Sequence, residues 1–277
     1  MPVVATNTAA NSALRFLNNN SAAAAASVGK LASGSRIVKA SDDAAGLAIG
    51  SRLKADVTAL TQAGINASQG ASVVQVADGG LGRIGDVLQR MKALAAQSLS
   101  GVPTNTERGF IDAEYQELVS EITDIAGTTR FNGQSLLDGT VASQSYFVGT
   151  DVSDTIDVDF GGLAAASAAF DAVSLGVNLS VGTAGAASAA MAAVDTAIDT
   201  ISEARATAGA LISRFEFRGQ QIATSLENID AAKSAIMDVD LAAEQSKLVS
   251  NQVLVQAAVS AVSQANQIPQ SLLRVLQ

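Results

Sequence analysis

The residues best placed to do chemistry in this sequence are carboxylates. Asp151, Asp154, Asp157 and Asp159 cluster in one short stretch, and clustered carboxylate oxygens are the ligands calcium takes. The spacing lacks the glycine and the closing bidentate glutamate of a calcium-binding loop, so the cluster reads as an acidic face turned to water. Two tighter pairs, Asp42-Asp43 and Asp238/Asp240, have the composition of metal-binding couples. Each precedes an apolar periodic run, however, where an aspartate accepts from the first free helix amides and meets the helix dipole. Gly79-Gly80 with Gly82 is not a phosphate loop: it lies inside a periodic run with no strand–loop–helix setting and no following P-loop lysine. The sequence contains no Cys and no His, which removes disulfides, zinc sites and every nucleophile–base pair built on thiol or imidazole. The side chains therefore point to helix capping, and no catalytic, cofactor-binding or metal site is expected.

The elements that would carry these caps follow a seven-residue spacing. Val3, Ala10, Leu17, Ala24, Leu31 and Val38 form one register, and Leu53, Leu60, Ala67, Val74, Leu81, Leu88 and Ala95 a second. Val194, Ile201, Ala208, Phe215, Ile222, Ile229 and Ile236 form a third, and Leu241, Leu248, Val255 and Val262 a fourth. Sustained heptads mean helices that keep one seam against a neighbour. The stretch from Leu53 to Ala95 alone would be roughly 65 Å long at 1.5 Å per residue. Thr104 and Glu107 make a capping-box pair after Pro103, opening a shorter helix with Ile111, Tyr115, Leu118, Ile122 and Ile125 on one face. Pro269 is expected to end or kink the last helix.

The middle changes character. Phe131-Asn132-Gly133 reads as a turn. Residues 145–148 and 155–160 then read as the strands of a hairpin, and the alternation of Val173, Leu175, Val177, Leu179 and Val181 suggests a further strand. The expected fold is mainly α: long heptad-patterned helices from both chain ends packed as a coiled-coil rod, with a small β-hairpin region in the middle. The expected divisions are a terminal helix over 1–42, rod helices plus hairpin over 43–180, a second rod helix over 181–239 and a last helix over 240–277. In this scheme 1–42 pairs with 240–277, and 43–180 with 181–239.

Charge supports the same division. From Phe131 to Ala204 there is no Lys or Arg but there are nine acids, which equals the whole net charge of -9, so the remainder sums to zero. Like-charged middles repel and stay wet, whereas near-neutral ends can pack against copies of themselves. No basic stripe interleaved with aromatics offers a nucleic-acid surface. No run approaches the roughly 20 apolar residues of a membrane span, and no signal-peptide core is visible near the start. With aromatics at 4% and alanine abundant, each terminal segment has a narrow seam to set against about 1.5 kcal/mol of ordering cost per residue. The ends are expected to order fully only when partners supply further surface.

Several motifs resemble the bacterial flagellins. They are Leu31-Ala32-Ser33-Gly34-Ser35-Arg36-Ile37 running into Ser41-Asp42-Asp43-Ala44-Ala45-Gly46-Leu47-Ala48-Ile49, then Gln89-Arg90-Met91-Lys92-Ala93-Leu94-Ala95-Ala96-Gln97, Phe131-Asn132-Gly133, and Gln264-Ala265-Asn266-Gln267-Ile268-Pro269-Gln270. Asn7 sits where flagellins carry an Asn-Thr pair. The resemblance covers about the first 140 and last 90 residues. It implies a non-enzymatic subunit that polymerises into the extracellular flagellar filament for swimming motility. It also implies departure through the flagellar type III export apparatus without a cleaved signal peptide. The implied partners are copies of the chain itself, a hook-filament junction protein, a filament cap and an export chaperone, with no nucleic acid and no membrane insertion.

By the same resemblance the polymerisation interface would include Leu14, Leu17, Leu31, Val38, Leu241, Leu248, Val255, Val262 and Leu273. A vertebrate flagellin-sensing Toll-like receptor would contact Gln89, Arg90, Leu94 and Glu114; packing alone also accounts for that spacing. Thr150, Ser153 and Thr183 are the candidate O-glycosylation sites. Two departures stand out: the middle is too short for large outer domains, and the five alanines from Ala22 match no family motif. The rival reading is a hook-filament junction protein with the same terminal helices, which would carry a longer or less regular middle. A metalloprotease carried on this scaffold would need a His-Glu-x-x-His helix and is excluded by the absence of His.

Overall fold

The computed structural model describes residues 7–140, 143–160 and 169–275, with side chains in the last helix described through Gln267. Five helices carry the chain: α1 (Thr8–Ser33), α2 (Ala44–Leu99), α3 (Asn105–Thr128), α4 (Ala184–Met237) and α5 (Leu241–Val275). Between α3 and α4 lie two antiparallel hairpins, β1 (Arg130–Phe131) with β2 (Gln134–Ser135), and β3 (Ser143–Phe147) with β4 (Thr155–Asp159). The chain is thus mainly α with a small hairpin region. It divides into two compact units, residues 57–227 in one and residues 1–56 with 228–277 in the other.

The unit formed by residues 57–227 owes its core to the heptads. Leu60, Ala67, Val74, Leu81, Leu88 and Ala95 on α2 are all buried, as are Val194, Ile201, Ala208, Phe215 and Ile222 on α4. The two helices run antiparallel here: Gly70 lies under the Phe215 ring, Gly85 meets Ile201, and Arg205 holds Asp78 at 2.9 Å. A Cβ on Gly70 would come within 2.6 Å of that ring, so the close approach requires glycine. Gly80, from the glycine group set aside as a phosphate loop, has a similar role, since a Cβ there would meet Thr129 Oγ1 at 2.6 Å.

The capping box of α3 forms as expected. Glu107 N–H reaches Thr104 Oγ1, while Glu107 Oε2 accepts from the Thr104 backbone at 2.6 Å. Asn132 and Gly133 both adopt positive φ, +50° and +81°, which is the two-residue primed turn that joins β1 to β2. β3 and β4 pair from Ser143↔Asp159 to Phe147↔Thr155, putting Ile156 and Val158 into the core. The Tyr146 ring meets Phe215 edge-on at 5.6 Å, and Asn66 Nδ2 donates to Phe147 O at 2.9 Å, fixing the hairpin to the helices.

The strand expected over residues 173–181 does not form. Alternation is present, with Leu175, Val177 and Val181 buried and Val173 exposed, but no neighbouring strand receives it. Side chains of α3 and α2 take its backbone groups instead. Tyr115 Oη donates to Val177 O at 3.2 Å, Gln116 Nε2 to Leu179 O at 2.8 Å, and Ser98 Oγ to Val181 O. Asp112 accepts from Val181 N–H at 2.7 Å. Burial raises the Tyr115 phenol to about 12, with the Asp112 charge adding to it.

In the other unit α1 packs against α5. Pro269 does not end α5, which continues to Val275.

Candidate assembly surface

Two joints hold the terminal helices, and both are built from the motif at residues 31–49. Gly34, at φ +68°, ends α1 in the left-handed conformation that glycine adopts without strain. Ser35 and Arg36 then serve the end of α4. Arg36 N–H donates to Met237 O at 2.6 Å, Ser35 Oγ to the same carbonyl at 3.0 Å, and the Arg36 guanidinium to Ile236 O at 2.9 and 3.1 Å. In return Val239 N–H donates to Gly34 O at 3.1 Å. The carbonyls that a helix end leaves free are thereby satisfied by a segment some 200 residues away in the sequence.

The aspartate pairs act as caps, though not uniformly. Asp43 accepts from Gly46 N–H at 2.8 Å and opens α2, while Asp240 accepts from Ala242 and Ala243 N–H, both at 3.0 Å, and opens α5. Asp42 turns back into the loop, where the N–H groups of Lys39 and Val38 hold its carboxyl below the usual carboxylate range. Asp238 accepts from Ser234 Oγ at 2.6 Å. Among the described residues no group of three or more acidic side chains is placed to hold a metal ion.

The seam between α1 and α5 follows a three-and-four alternation on both helices. On α1 the buried or half-buried positions include Ala10, Ala13, Leu17, Asn20, Ala24, Ser27 and Leu31; on α5 they are Glu244, Leu248, Asn251, Val255, Ala258, Val262 and Ala265. Leu17, Leu31, Leu248, Val255 and Val262, expected at an interface between copies, therefore meet within one chain. Leu14, Val38 and Leu241 lie off the seam and are exposed. Leu273 lies outside the described side chains. In the interior of the seam the Ser27 hydroxyl bonds Glu244, holding that carboxyl below its usual range with help from Lys247 at 3.4 Å and the charge of Lys30.

Spacing alone missed further apolar residues that the seam does not take. Val249, Val253, Leu254 and Val259 on α5 and Phe16 and Val28 on α1 are exposed, Val253 at 63% and Phe16 at 58%. The signal was present in Val253-Leu254-Val255, because a helix can turn only one of three consecutive residues into a narrow seam. The alanine run also finds a place. Ala24 faces the seam, while Ala22, Ala25, Ala26 and Gly29 line a concavity of about 410 Å³ bounded by Val38, Lys39 and Asp42.

On α2 and α3, Gln89 is exposed and Arg90 bridges to Glu114 at 2.5 Å with both side chains half in solvent. Leu94 is only 2% exposed, so it is withdrawn from the surface expected to meet a receptor; its heptad neighbour Ala95 and Met91 are buried beside it. Thr150, Ser153 and Thr183 are all exposed.

The chain ends thus form an antiparallel pair of helices, capped by their own loops and carrying exposed apolar side chains. Sequence comparison gives the class of the chain. Residues 4–142 match the bacterial flagellin N-terminal helical region and residues 191–276 the bacterial flagellin C-terminal helical region. The chain is 35% identical to a flagellin of Halalkalibacterium halodurans, covering 89% of each, and 34% identical to the flagellar filament 33 kDa core protein of Treponema phagedenis, covering 98% of each. The crystal structure of Bacillus cereus flagellin superposes with a TM-score of 0.51 at 30% identity, covering 61% of this chain and 94% of that one. The chain belongs to the bacterial flagellin family, a family of structural filament proteins and not of enzymes. No helix among the described residues is long and apolar enough to cross a membrane.

Proposed function

We propose that this chain is the repeating subunit of a bacterial flagellar filament and works outside the cell in swimming motility. The observation that carries the proposal is that Val249, Val253, Leu254 and Val259 stay exposed around the faces of α5 that α1 leaves free. Exposed apolar surface of this kind marks an interaction site, and copies of a near-neutral end can approach without charge repulsion. Relatives named as flagellin and filament core protein, aligned over nearly the whole chain, support the same reading and leave the junction-protein alternative without favour.

In this reading residues 1–42 and 240–277 form the inner layer of the filament, and 43–180 with 181–239 the next. Export proceeds by the flagellar type III apparatus with a chaperone on the C-terminal segment, and a cap and a hook-filament junction protein meet the ends of the polymer. Gln89, Arg90 and Glu114 are the accessible part of a contact for a flagellin-sensing Toll-like receptor. Thr150, Ser153 and Thr183 are the accessible hydroxyls for O-linked sugars. The deciding experiment is electron microscopy of purified full-length chain after seeding, beside a truncation lacking residues 241–277. Long uniform filaments from the first and none from the second are expected. Soluble monomer from both would overturn the proposal in favour of a junction protein.

A further inference from the structure

The apolar pattern of the α1–α5 seam does not by itself choose a register. Sliding one helix by a heptad sets the apolar members of the seam against apolar members again but parts Asn20 from its level partner Asn251 and Ser27 from Glu244, and such repeats commonly leave register to polar positions. A contact at the end of the seam adds a further constraint. Asn7 Oδ1 accepts from Ala10 N–H at 3.0 Å and caps α1, while Asn7 Nδ2 donates to Ala265 O at 2.8 Å. In a helix the Ala265 carbonyl should accept from the N–H four residues on, but that residue is Pro269, which has none. Proline therefore leaves one carbonyl vacant within a continuous helix, at a residue only 7% exposed, and the Asn7 amide fills it.

The vacant carbonyl makes the contact selective. Helix carbonyls one heptad further in are already engaged by their own N–H groups, so an Asn7 slipped inward would find no free acceptor. The Ser27–Glu244 contact sits 20 residues further along α1 and 21 residues back along α5, so both contacts are satisfied in one and the same register. A heptad slip would carry each of them about 10 Å out of reach.

We propose that Asn7, acting on the carbonyl that Pro269 frees at Ala265, sets the register in which the two terminal helices pair. Asn7 and Pro269 are thus specificity-determining residues for the assembled end of the chain. Register decides which exposed residues of α1 lie level with Val253 and Leu254, and for that consequence the proposal rests on the filament reading.

Because the chain has no cysteine, disulfide trapping reads register directly. The native register sets Ala13 level with Ala258, and a one-heptad slip sets it level with Asn251. A full-length chain with A13C and A258C should cross-link readily under mild oxidation, and one with A13C and N251C hardly at all. Asn7→Asp keeps the cap acceptor and loses the amide donor, and Pro269→Ala restores a helix N–H to the vacant carbonyl. Each should raise the ratio of slipped to native cross-link about tenfold, the equilibrium change expected for one net hydrogen bond. Circular dichroism of both variants checks that the helices persist; a helical variant with an unchanged ratio overturns the proposal, and a variant that loses helix is replaced by the other for the same reading. Electron microscopy of the same samples separates the two proposals. Native cross-linking without filaments refutes the filament reading alone, whereas filaments with an unchanged ratio refute the register assignment alone.

Discussion

The two units use the same heptad grammar to different ends. In residues 57–227 the helices close around large side chains with essentially no exposure, among them Tyr115, Phe160, Phe170, Phe215, Leu81 and Met91. In the unit made from the chain ends, the seam is built on alanines, a serine, a glutamate and half-buried leucines and valines, and large apolar residues remain in water on both helices. The first unit encloses a core of large side chains even though Phe110 and Phe217 stay exposed on its surface. The second buries few large side chains among its described residues, Ile37 and Leu248 chief among them, so less of its stability comes from burial within the chain. Periodicity identifies where helices lie; side-chain size along the seam tells which helices are self-sufficient.

Substitutions can break or sharpen that contrast. The largest effect is expected from Phe215→Ala, which empties the space under Gly70 and Tyr146; denaturant melts should show a loss of about 3–5 kcal/mol. The matching change in the other unit, Leu248→Ala, should barely move the main transition of the monomer while strongly impairing polymerisation. A loss in the monomer as large as that of Phe215→Ala would erase the distinction between the units. Val253→Lys should leave the melt within about 0.5 kcal/mol, as exposed substitutions do, and raise the critical concentration for filament growth at least about tenfold. The corresponding figure is about 1.4 kcal/mol per subunit contact.

Acid should separate the units as well. The Glu244 carboxyl is held below its usual range by Ser27, so the unpaired chain binds the proton more readily than the paired one. Its stabilising contribution is complete above the ordinary glutamate value of about 4.3 and is lost as pH falls through the lowered one. The α1–α5 pair should therefore loosen on acidification below about pH 4, monitored by the A13C/A258C cross-link. Glu244→Gln should flatten that part of the profile. The smallest effect belongs to Thr104→Ala, which removes the α3 cap and should cost about 1 kcal/mol, visible as a modest shift in the unit that holds Phe215.

Much of this was legible in the residues. Strict heptads with β-branched and aromatic members placed the core of α2 and α4, because a seam that repeats every seven residues has only one face to bury. Asn132-Gly133 and Thr104 with Glu107 announced their turn and cap because local backbone chemistry determines both. Residues 173–181 misled because alternation reports which side chains are buried and is silent on what the backbone bonds to. The ladder partner was replaced by Tyr115, Gln116, Ser98 and Asp112 from distant helices. Pro269 does not end α5 for a related reason. The cost of its missing N–H depends on whether another donor reaches the freed carbonyl, and Asn7 is far away in sequence. Leu94 follows a spacing that allows it to be exposed or buried, and packing decided for the inside.

The joint between Ser35-Arg36 and the end of α4 also has a bearing on time. Its hydrogen bonds join residues about 200 positions apart, so a chain emerging from one end cannot close it until nearly all of itself has arrived. Residues 57–227 form a compact unit of their own that ends 12 positions before Val239. Completion of the joint therefore works as a clock: the unit made from the two chain ends is the last to be finished, and a chain cut short before Val239 never reaches that stage.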